Sequence, residues 1–303
     1  MQTRPFGRTG LNITPIGLGL AEINRHEDAK ADFAAAGRVL GAALDSGVNF
    51  LDTAAMYGNT EEMIGASVSH RRADFILATK CGQVYGDAVG QPWSAPVIEH
   101  SIDRSLRRMK TECVDMVQLH SCSLAVLQRG EAIEAMQKAK KAGKTRFIGY
   151  SGDNEPARWA VESGLFDTLQ TSYNLVDQRA RTTGLLKLAR AKGMGIIIKR
   201  PVANSVWGKS ESPYPYANEY LRRAKILRDL GPIPGAPEDA ILLAMGFVMA
   251  HPEVDTIIVG SHNPAHIRSN IEMVEKRLPI PTEAVRELQR RFEQHGADWV
   301  QLQ

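Results

Sequence analysis

Four ionisable side chains stand where short apolar runs of the sequence end. Asp52 ends the run VNFLD, Lys80 ends FILATK and His120 ends DMVQLH, while Tyr57 lies five residues after Asp52. The carboxyl ends of parallel strands in α/β proteins open onto one face, and catalytic groups are found there. We therefore predict that these four side chains converge on one site.

This set of side chains suits proton donation to a carbonyl oxygen. An ammonium group beside a phenol stabilises the phenolate and makes the phenol a better acid, so we expect Lys80 to act on Tyr57 in this way. A buried lysine needs a counter-charge, which Asp52 supplies. His120 is then a neutral donor that orients the carbonyl oxygen. The set offers neither a nucleophile with an adjacent base nor clustered metal ligands, so we predict no metal site. Reduction of a carbonyl also needs a hydride, which we expect to come from another group.

Eight short apolar runs alternate with segments of helical period and must position this site. Between the third and fourth runs, Ile98, Ile102, Leu106 and Met109 fall on one helical face. Strands that alternate with helices favour parallel pairing, and eight such units favour a closed ring. We predict an α/β fold, a single (β/α)8 TIM barrel domain over residues 1–303. The predicted strands are 15–20, 48–52, 75–80, 115–120, 146–151, 168–173, 195–200 and 255–260.

A long insertion, 201–237, follows the seventh predicted strand. It contains several proline and tyrosine residues. Loops of this length in a compact domain are either functional lids or disordered, and both interpretations stay open here.

Charge and cysteine content exclude several classes of protein. The 303 residues include 37 basic and 34 acidic side chains without a run of like charges, so neither nucleic acid nor a membrane is expected as a partner. Three cysteines without a CxxC pair argue against a zinc site and against secretion. The N-terminal residues show no apolar leader and the longest apolar run, 240–250, is too short to span a bilayer. The predicted location is cytoplasmic, and no pattern indicates an oligomeric state.

The order and spacing of these motifs resemble the aldo-keto reductase family over nearly the whole chain. FGRTGLNITPIGLGL (6–20) is similar to the family's opening hairpin and first strand, and FLDTAAMYGNTEEMIG (50–65) to its signature. ATK (78–80) and LH (119–120) supply the rest of the catalytic group. The resemblance implies a barrel that binds a nicotinamide cofactor, usually NADPH, and reduces a small-molecule carbonyl. Tyr57 is then the general acid, with Lys80, Asp52 and His120 in the roles given above.

The resemblance also implies cofactor contacts. Ser151 and Gln170 match family positions that hold the nicotinamide carboxamide, although Gly152 replaces an asparagine. The segment VGSHNPAHIRSN (259–270) resembles the loop that takes the adenosine phosphate, and an asparagine followed by proline is typical of a helix start with free amides for an anion. We lean to NADPH, with NADH still open. The implied contacts in this loop are Gly260, Ser261, Asn263, His266, Arg268 and Asn270.

The seventh strand departs from the family pattern. Many relatives end it with an aromatic residue that stacks on the nicotinamide, whereas this chain has Lys199 and Arg200. These cations are candidates for binding the cofactor pyrophosphate or an acidic substrate, or for salt bridges across the barrel mouth. Candidates for the stacking aromatic are Tyr173, Trp207 and the segment 214–216.

Two other functions stay open from the sequence. Lys80 and Lys199 both end predicted strands, which is compatible with a Schiff-base lyase of the aldolase type. A nucleotide-binding regulatory subunit with little turnover would keep the barrel and the cofactor.

Overall fold

Eight parallel strands close into a barrel at the centre of the computed structural model, which describes residues 1–23, 32–212 and 214–302. Each barrel strand pairs with the next in chain order, and β10 closes the ring on β3. The predicted (β/α)8 barrel is confirmed, and the observed strands differ from the predicted bounds by at most two residues. The strands are β1 (Arg4–Pro5), β2 (Asn12–Ile13), β3 (Ile16–Gly19), β4 (Phe50–Asp52), β5 (Ile76–Cys81), β6 (Val114–His120), β7 (Thr145–Ser151), β8 (Thr168–Ser172), β9 (Gly195–Lys199) and β10 (Thr256–Val259).

The described helices lie between successive strands of the barrel, except that the last two in chain order follow the final strand. None of those described is long and apolar enough to cross a membrane. They are α1 (Phe33–Asp45), α2 (Thr60–Ser67), α3 (Ala95–Met109), α4 (Leu124–Arg129), α5 (Glu131–Lys141), α6 (Asn154–Ser163), α7 (Arg179–Thr182), α8 (Leu185–Ala191), α9 (Asn218–Arg228), α10 (Ala240–Met249), α11 (Pro264–Lys276) and α12 (Thr282–His295).

An apolar layer fills the lower half of the barrel. The antiparallel hairpin β1–β2 places Phe6 and Ile13, both fully buried, against Phe50, Met116 and Ile197 of the barrel strands. The rings of Phe6 and Phe50 lie 6.4 Å apart. Side chains alternate between the two faces of a strand, so the inward residues further along each strand form the next layer up. That layer carries the polar groups of the site.

The insertion 201–237 has structure of its own among its described residues. It contains two short 3-10 turns, Ala203–Ser205 and Pro215–Ala217, followed by α9. Arg291 of α12 is 2% exposed and donates hydrogen bonds to the carbonyl oxygens of Leu227, Gly231 and Pro232 at distances of 2.8, 2.8 and 2.7 Å. These bonds tie the end of the insertion to the outer helices.

Helix α2 lies close against α3 and follows directly on the loop that carries Tyr57. A Cβ atom added to Gly65 of α2 would collide with the carbonyl oxygen of Arg108. Backbone atoms of a packed helix cannot move aside as a flexible side chain can. Glycine at this position therefore allows the close approach of α2 to α3, and with it sets where the Tyr57 loop ends.

We predict opposite effects from alanine at two helical glycines. Gly65→Ala should lower the free energy of unfolding by about 2 to 4 kcal/mol, because the methyl group has no space against α3. Gly41→Ala in α1, where an added Cβ meets nothing within 4 Å, should be neutral or stabilise by up to about 1 kcal/mol. Urea unfolding followed by circular dichroism measures both. Equal stability of the two variants would contradict the close contact.

Candidate active site

The site is a layer of polar side chains at the carboxyl ends of the barrel strands. Side chains two residues apart on a strand point to the same face, so each of these side chains points into the barrel one layer beyond another inward-facing residue. All of these side chains except His120 and Lys199 are at most 2% exposed. We call this set the polar layer: Asp52, Lys80, Gln118, His120, Ser151, Gln170 and Lys199.

A buried ion pair stands at the centre of the polar layer. The Nζ atom of Lys80 lies 2.6 Å from Oδ2 of Asp52 and also donates to the carbonyl oxygen of Thr53 at 2.8 Å. Burial opposes the charge on the lysine, but the Asp52 carboxylate and Tyr57 outweigh it, so the pKa of Lys80 is raised above its ordinary value. The lysine is held as a cation, which does not suit the nucleophilic amine of a Schiff-base lyase.

Tyr57 lies over this ion pair. Its backbone amide donates to the carbonyl oxygen of Ala54 at 2.9 Å, which closes a turn directly after β4. The Nζ atom of Lys80 lies 5.0 Å from the centre of the Tyr57 ring, and the ring of His120 meets it edge-on at 5.9 Å. The structure thus brings together the four side chains that the sequence singled out.

His120 is neutral in this environment. Burial lowers its pKa well below the ordinary value, and the positive charges of Lys80, Lys199 and Arg200 lower it further. A neutral imidazole can donate one hydrogen bond to a carbonyl oxygen without carrying charge into the site. Its backbone is fixed by Trp93, whose Nε1 atom donates to the carbonyl oxygen of His120 at 3.0 Å.

Two amide side chains hold the other oxygen of Asp52. Gln170 and Gln118 both donate to Oδ1, at 2.8 and 3.0 Å, and Ser151 donates to Oε1 of Gln170 at 2.9 Å. A continuous chain of bonds therefore runs from Ser151 to Lys80. Sequence reasoning missed Gln118, although its position two residues before His120 on β6 was a usable signal, since the two side chains must share a face.

A cavity of about 780 Å³ opens above the polar layer. Its volume is in the range of ligand and cofactor pockets. Residues of the insertion from 201–212 and 214–216 supply much of one wall. They include Tyr214 and Tyr216, whose rings are stacked with centres 5.6 Å apart. The predicted cofactor contacts that line the cavity are Ser151, Gln170, Lys199, Arg200, Gly260 and Ser261.

The remaining residues of the predicted phosphate loop lie on or beside the start of α11. Asn263 caps this helix by accepting a hydrogen bond from the amide of Ala265 at 2.9 Å, and the hydroxyl of Ser261 lies 3.2 Å from Nδ1 of His266. Arg268 is exposed one turn further along. Asn270 is 8% exposed and faces a separate small cavity against β3.

Tyr173 corrects one prediction. It is fully buried outside the barrel, where its ring lies 5.4 Å from those of Phe247 and His251. Gln170 and Ser172 point inward from the end of β8, so the next residue points outward. Trp207 likewise packs against the outer core and does not line the cavity. Of the aromatic candidates, the cavity wall includes Tyr214 and Tyr216.

The cations that end the seventh barrel strand have different partners. The Nζ atom of Lys199 lies 2.8 Å from Oδ2 of Asp153, a fully buried carboxylate that also accepts bonds from Thr171 and the amide of Ser172. Sequence reasoning missed Asp153, since nothing local marks it as a partner of β9. Arg200 donates to the carbonyl oxygen of Leu302 at 2.8 Å. The salt-bridge interpretation is thus the one that the contacts of Lys199 show.

The presence of glycine rather than asparagine at position 152 has a steric reason. A Cβ atom at this position would lie 2.5 Å from the hydroxyl oxygen of Tyr150, whose ring covers the glycine. That hydroxyl donates to the carbonyl oxygen of Cys122 at 3.1 Å, which fixes the ring. An asparagine here would have to displace a buried tyrosine.

Over residues 1–23, 32–212 and 214–302, no group of three or more His, Cys, Asp or Glu side chains is placed to hold a metal ion.

Comparison with known proteins connects this geometry to a family. The model of the aldo/keto reductase family matches residues 15–290. L-galactose dehydrogenase of Arabidopsis thaliana is 28% identical, with 90% of this chain and 88% of that protein covered. An uncharacterized oxidoreductase of Bacillus subtilis is 27% identical, with 91% and 92% covered. Among solved structures, an aldo-keto reductase from Bacillus halodurans in its holo form superposes with a TM-score of 0.80 at 25% identity and covers 96% of each chain.

We predict that breaking the central ion pair by removing one partner costs more stability than removing both charges together. Asp52→Asn removes the counter-charge of buried Lys80 and should lower the free energy of unfolding by about 3 to 5 kcal/mol. The double variant Asp52→Asn with Lys80→Met removes both charges and should recover most of the loss. Chemical denaturation of the two variants and the wild type tests this. A single variant within about 1 kcal/mol of wild type would show that the pair is not a constraint on the fold.

Proposed function

Because the chain belongs to the aldo/keto reductase family and is an NAD(P)-dependent oxidoreductase that reduces carbonyl groups, we propose that Tyr57 is the general acid of that reaction. The observation that carries this assignment is the position of the Lys80 ammonium, paired with Asp52 at 2.6 Å and lying 5.0 Å from the centre of the Tyr57 ring. The cation stabilises the phenolate that remains after the proton leaves. The Tyr57 hydroxyl can therefore give its proton to the substrate oxygen as a general acid.

The other side chains of the set position and polarise the substrate. His120, neutral and edge-on to Tyr57, donates a hydrogen bond to the carbonyl oxygen and holds it beside the phenol. A nicotinamide held beside these residues would supply the hydride, with its electron pair, for the carbonyl carbon. The Tyr57 proton goes to the oxygen, so the product is the neutral alcohol. Asp52 does not touch the substrate in this scheme; it keeps Lys80 charged.

Ser151 and Gln170 fit the carboxamide of a nicotinamide ring. Both line the cavity, and together they offer a hydroxyl and an amide, which can pair with the donor and acceptor of a carboxamide. Their orientation is fixed because Gln170 also donates to Asp52. The asparagine of the family has no counterpart, since the Tyr150 ring covers Gly152. Lys199 and Arg200 lie in the same cavity wall and are proposed as further cofactor contacts.

The proposed cofactor is NADPH rather than NADH. The loop from β10 to α11 supports this assignment because the positive end of a helix dipole favours a phosphate, and Asn263 and Pro264 begin α11 in this loop. The exposed guanidinium of Arg268 lies one turn further along the same helix. Gly260, Ser261, His266 and Asn270 complete the proposed contacts.

The insertion 201–237 is proposed to act as a lid within a single domain of residues 1–303. Its support is the cavity wall, to which Val202, Lys209, Glu211 and Tyr216 contribute. Residues 24–31, 213 and 303 of the predicted domain lie outside the described residues. No observation favours the lyase or the regulatory subunit as a second function.

Cofactor titration tests the preference for NADPH. Quenching of tryptophan fluorescence should give a Kd at least about tenfold lower for NADPH than for NADH, since the additional phosphate gains charge-assisted bonds. Arg268→Gln should lose most of this preference, whereas Arg286→Gln on α12 is a control that should keep it. Equal affinity of the wild type for both nucleotides would contradict the NADPH assignment but not the reductase activity.

Removal of one hydroxyl group tests the role of Tyr57. Tyr57→Phe should lower kcat for carbonyl reduction by about 10² to 10⁴, the usual contribution of a general acid. The Kd for NADPH should change less than about threefold, because the hydroxyl acts on the substrate oxygen. A panel of aldehydes and ketones, with cofactor oxidation followed at 340 nm, gives the rates. A variant that retains wild-type kcat would exclude Tyr57 as the acid.

A further inference from the structure

Arg200 is fixed in the cavity wall by contacts from several parts of the chain. Its backbone has a φ of +56°, a left-handed conformation that is costly for a residue other than glycine. The carbonyl oxygen of Arg200 accepts a hydrogen bond from Nδ2 of Asn174 at 3.1 Å. The Nη1 atom of Arg200 donates to the carbonyl oxygen of Leu302 at 2.8 Å and lies 3.5 Å from the hydroxyl of Ser172. The guanidinium is therefore held at one place.

The segment that anchors Arg200 is itself held firmly. Gln301 is 3% exposed and its Nε2 atom donates to the carbonyl oxygen of Ser172 and to the hydroxyl of Thr171. The amide of Leu302 donates to Oδ2 of Asp177 at 3.0 Å. Residues 301 and 302 thus connect the end of β8 to the guanidinium of Arg200 through hydrogen bonds.

Arg200 leaves the site with an excess positive charge. Lys80 is paired with Asp52 and Lys199 with Asp153, whereas no carboxylate among the described residues forms an ion pair with Arg200. The nearby carboxyl of Asp177 is fully buried, and burial raises its pKa to about 7. Among the three cations Lys80, Lys199 and Arg200, the guanidinium is thus the one without an ion-pair partner among the described residues, and it stands near a neutral His120.

This charge lies close to the place where the hydride is transferred. Arg200, Lys199, Gln170, Tyr57 and His120 line the same cavity, and the charges of Lys199 and Arg200 both act on His120. The carbonyl carbon has to be in reach of the hydride while its oxygen touches Tyr57 and His120. A cation that acts on His120 therefore also acts on the nicotinamide ring.

We propose that Arg200 makes the site select the reduced nicotinamide over the oxidised one. This inference rests on the proposed function. The oxidised ring carries one positive charge and the reduced ring none, while the phosphate groups of the two forms are identical. A fixed cation beside the ring thus weakens only the binding of the oxidised form. The consequence is ready loading of reduced cofactor and ready release of oxidised cofactor after each reduction, with weak product inhibition.

Other roles of the same guanidinium predict different results. A clamp on the cofactor pyrophosphate would strengthen both redox forms equally, because both carry the same phosphates. Recognition of an acidic substrate would change KM for that substrate and leave both cofactor affinities unchanged. The ratio of the two cofactor affinities therefore separates the three roles.

The experiment measures Kd for NADPH and for NADP⁺ by tryptophan fluorescence in the wild type, Arg200→Gln and Arg200→Lys. Glutamine removes the charge and keeps a donor for the carbonyl oxygen of Leu302, while lysine keeps the charge. The ratio Kd(NADP⁺)/Kd(NADPH) should fall by about tenfold in Arg200→Gln, as expected for a unit charge near the ring at intermediate dielectric. Arg200→Lys should keep the wild-type ratio within about threefold.

Each other outcome has a definite meaning. An unchanged ratio in Arg200→Gln, including an equal loss of affinity for both forms, overturns the inference and leaves the reductase assignment intact. Absence of binding to the wild type overturns the proposed cofactor site together with the inference. If circular dichroism shows that Arg200→Gln does not fold, the ratio of the two Kd values in the wild type decides. Equal affinity for NADPH and NADP⁺ overturns the inference. A preference of about tenfold or more for NADPH supports it.

Discussion

The site depends on one constraint, a lysine ammonium in the middle of a closed barrel. A buried cation is tolerated only when its charge and its hydrogen-bond donors are satisfied. Asp52 and the carbonyl oxygen of Thr53 satisfy Lys80, and the second oxygen of Asp52 then requires donors of its own. Gln118 and Gln170 supply them, so the placement of the Gln170 amide in the cavity lining follows from the need to bury a charge.

Charge balance explains the outer part of the site in the same way. A second ion pair, Lys199 with Asp153, repeats the arrangement at the end of β9, whereas Arg200 is held by carbonyl and hydroxyl oxygens. Burial lowers the pKa of His120, and these cations together with Lys80 lower it further, so the imidazole is neutral. The proposed division of work between Tyr57 as proton donor and His120 as neutral hydrogen-bond donor is thus a result of burial and of the charges placed around them.

The comparison of sequence and structure is informative at the ends of individual strands. The prediction for Tyr173 was wrong because β8 ends at Ser172 with an inward side chain, and the following residue must then face the outer helices. Gln118 was missed although the same alternation would have placed it beside His120. Both cases follow from the period of two in a strand, so sequence contained the information. The partners of Lys199 and Arg200 are different, since Asp153 and Leu302 lie 46 and 102 residues away along the chain.

The sequence by itself determined the barrel, its strand order and the identity of the four side chains Asp52, Tyr57, Lys80 and His120. These properties are encoded locally, because apolar runs, helical periods and residues at strand ends depend on near neighbours in the chain. Only the tertiary structure decided which cations are neutralised, that a tyrosine ring covers Gly152, and that residues 301 and 302 anchor Arg200. Such properties depend on which distant segments meet when the barrel closes, and electrostatic energy depends on those distances and on burial rather than on position in the chain.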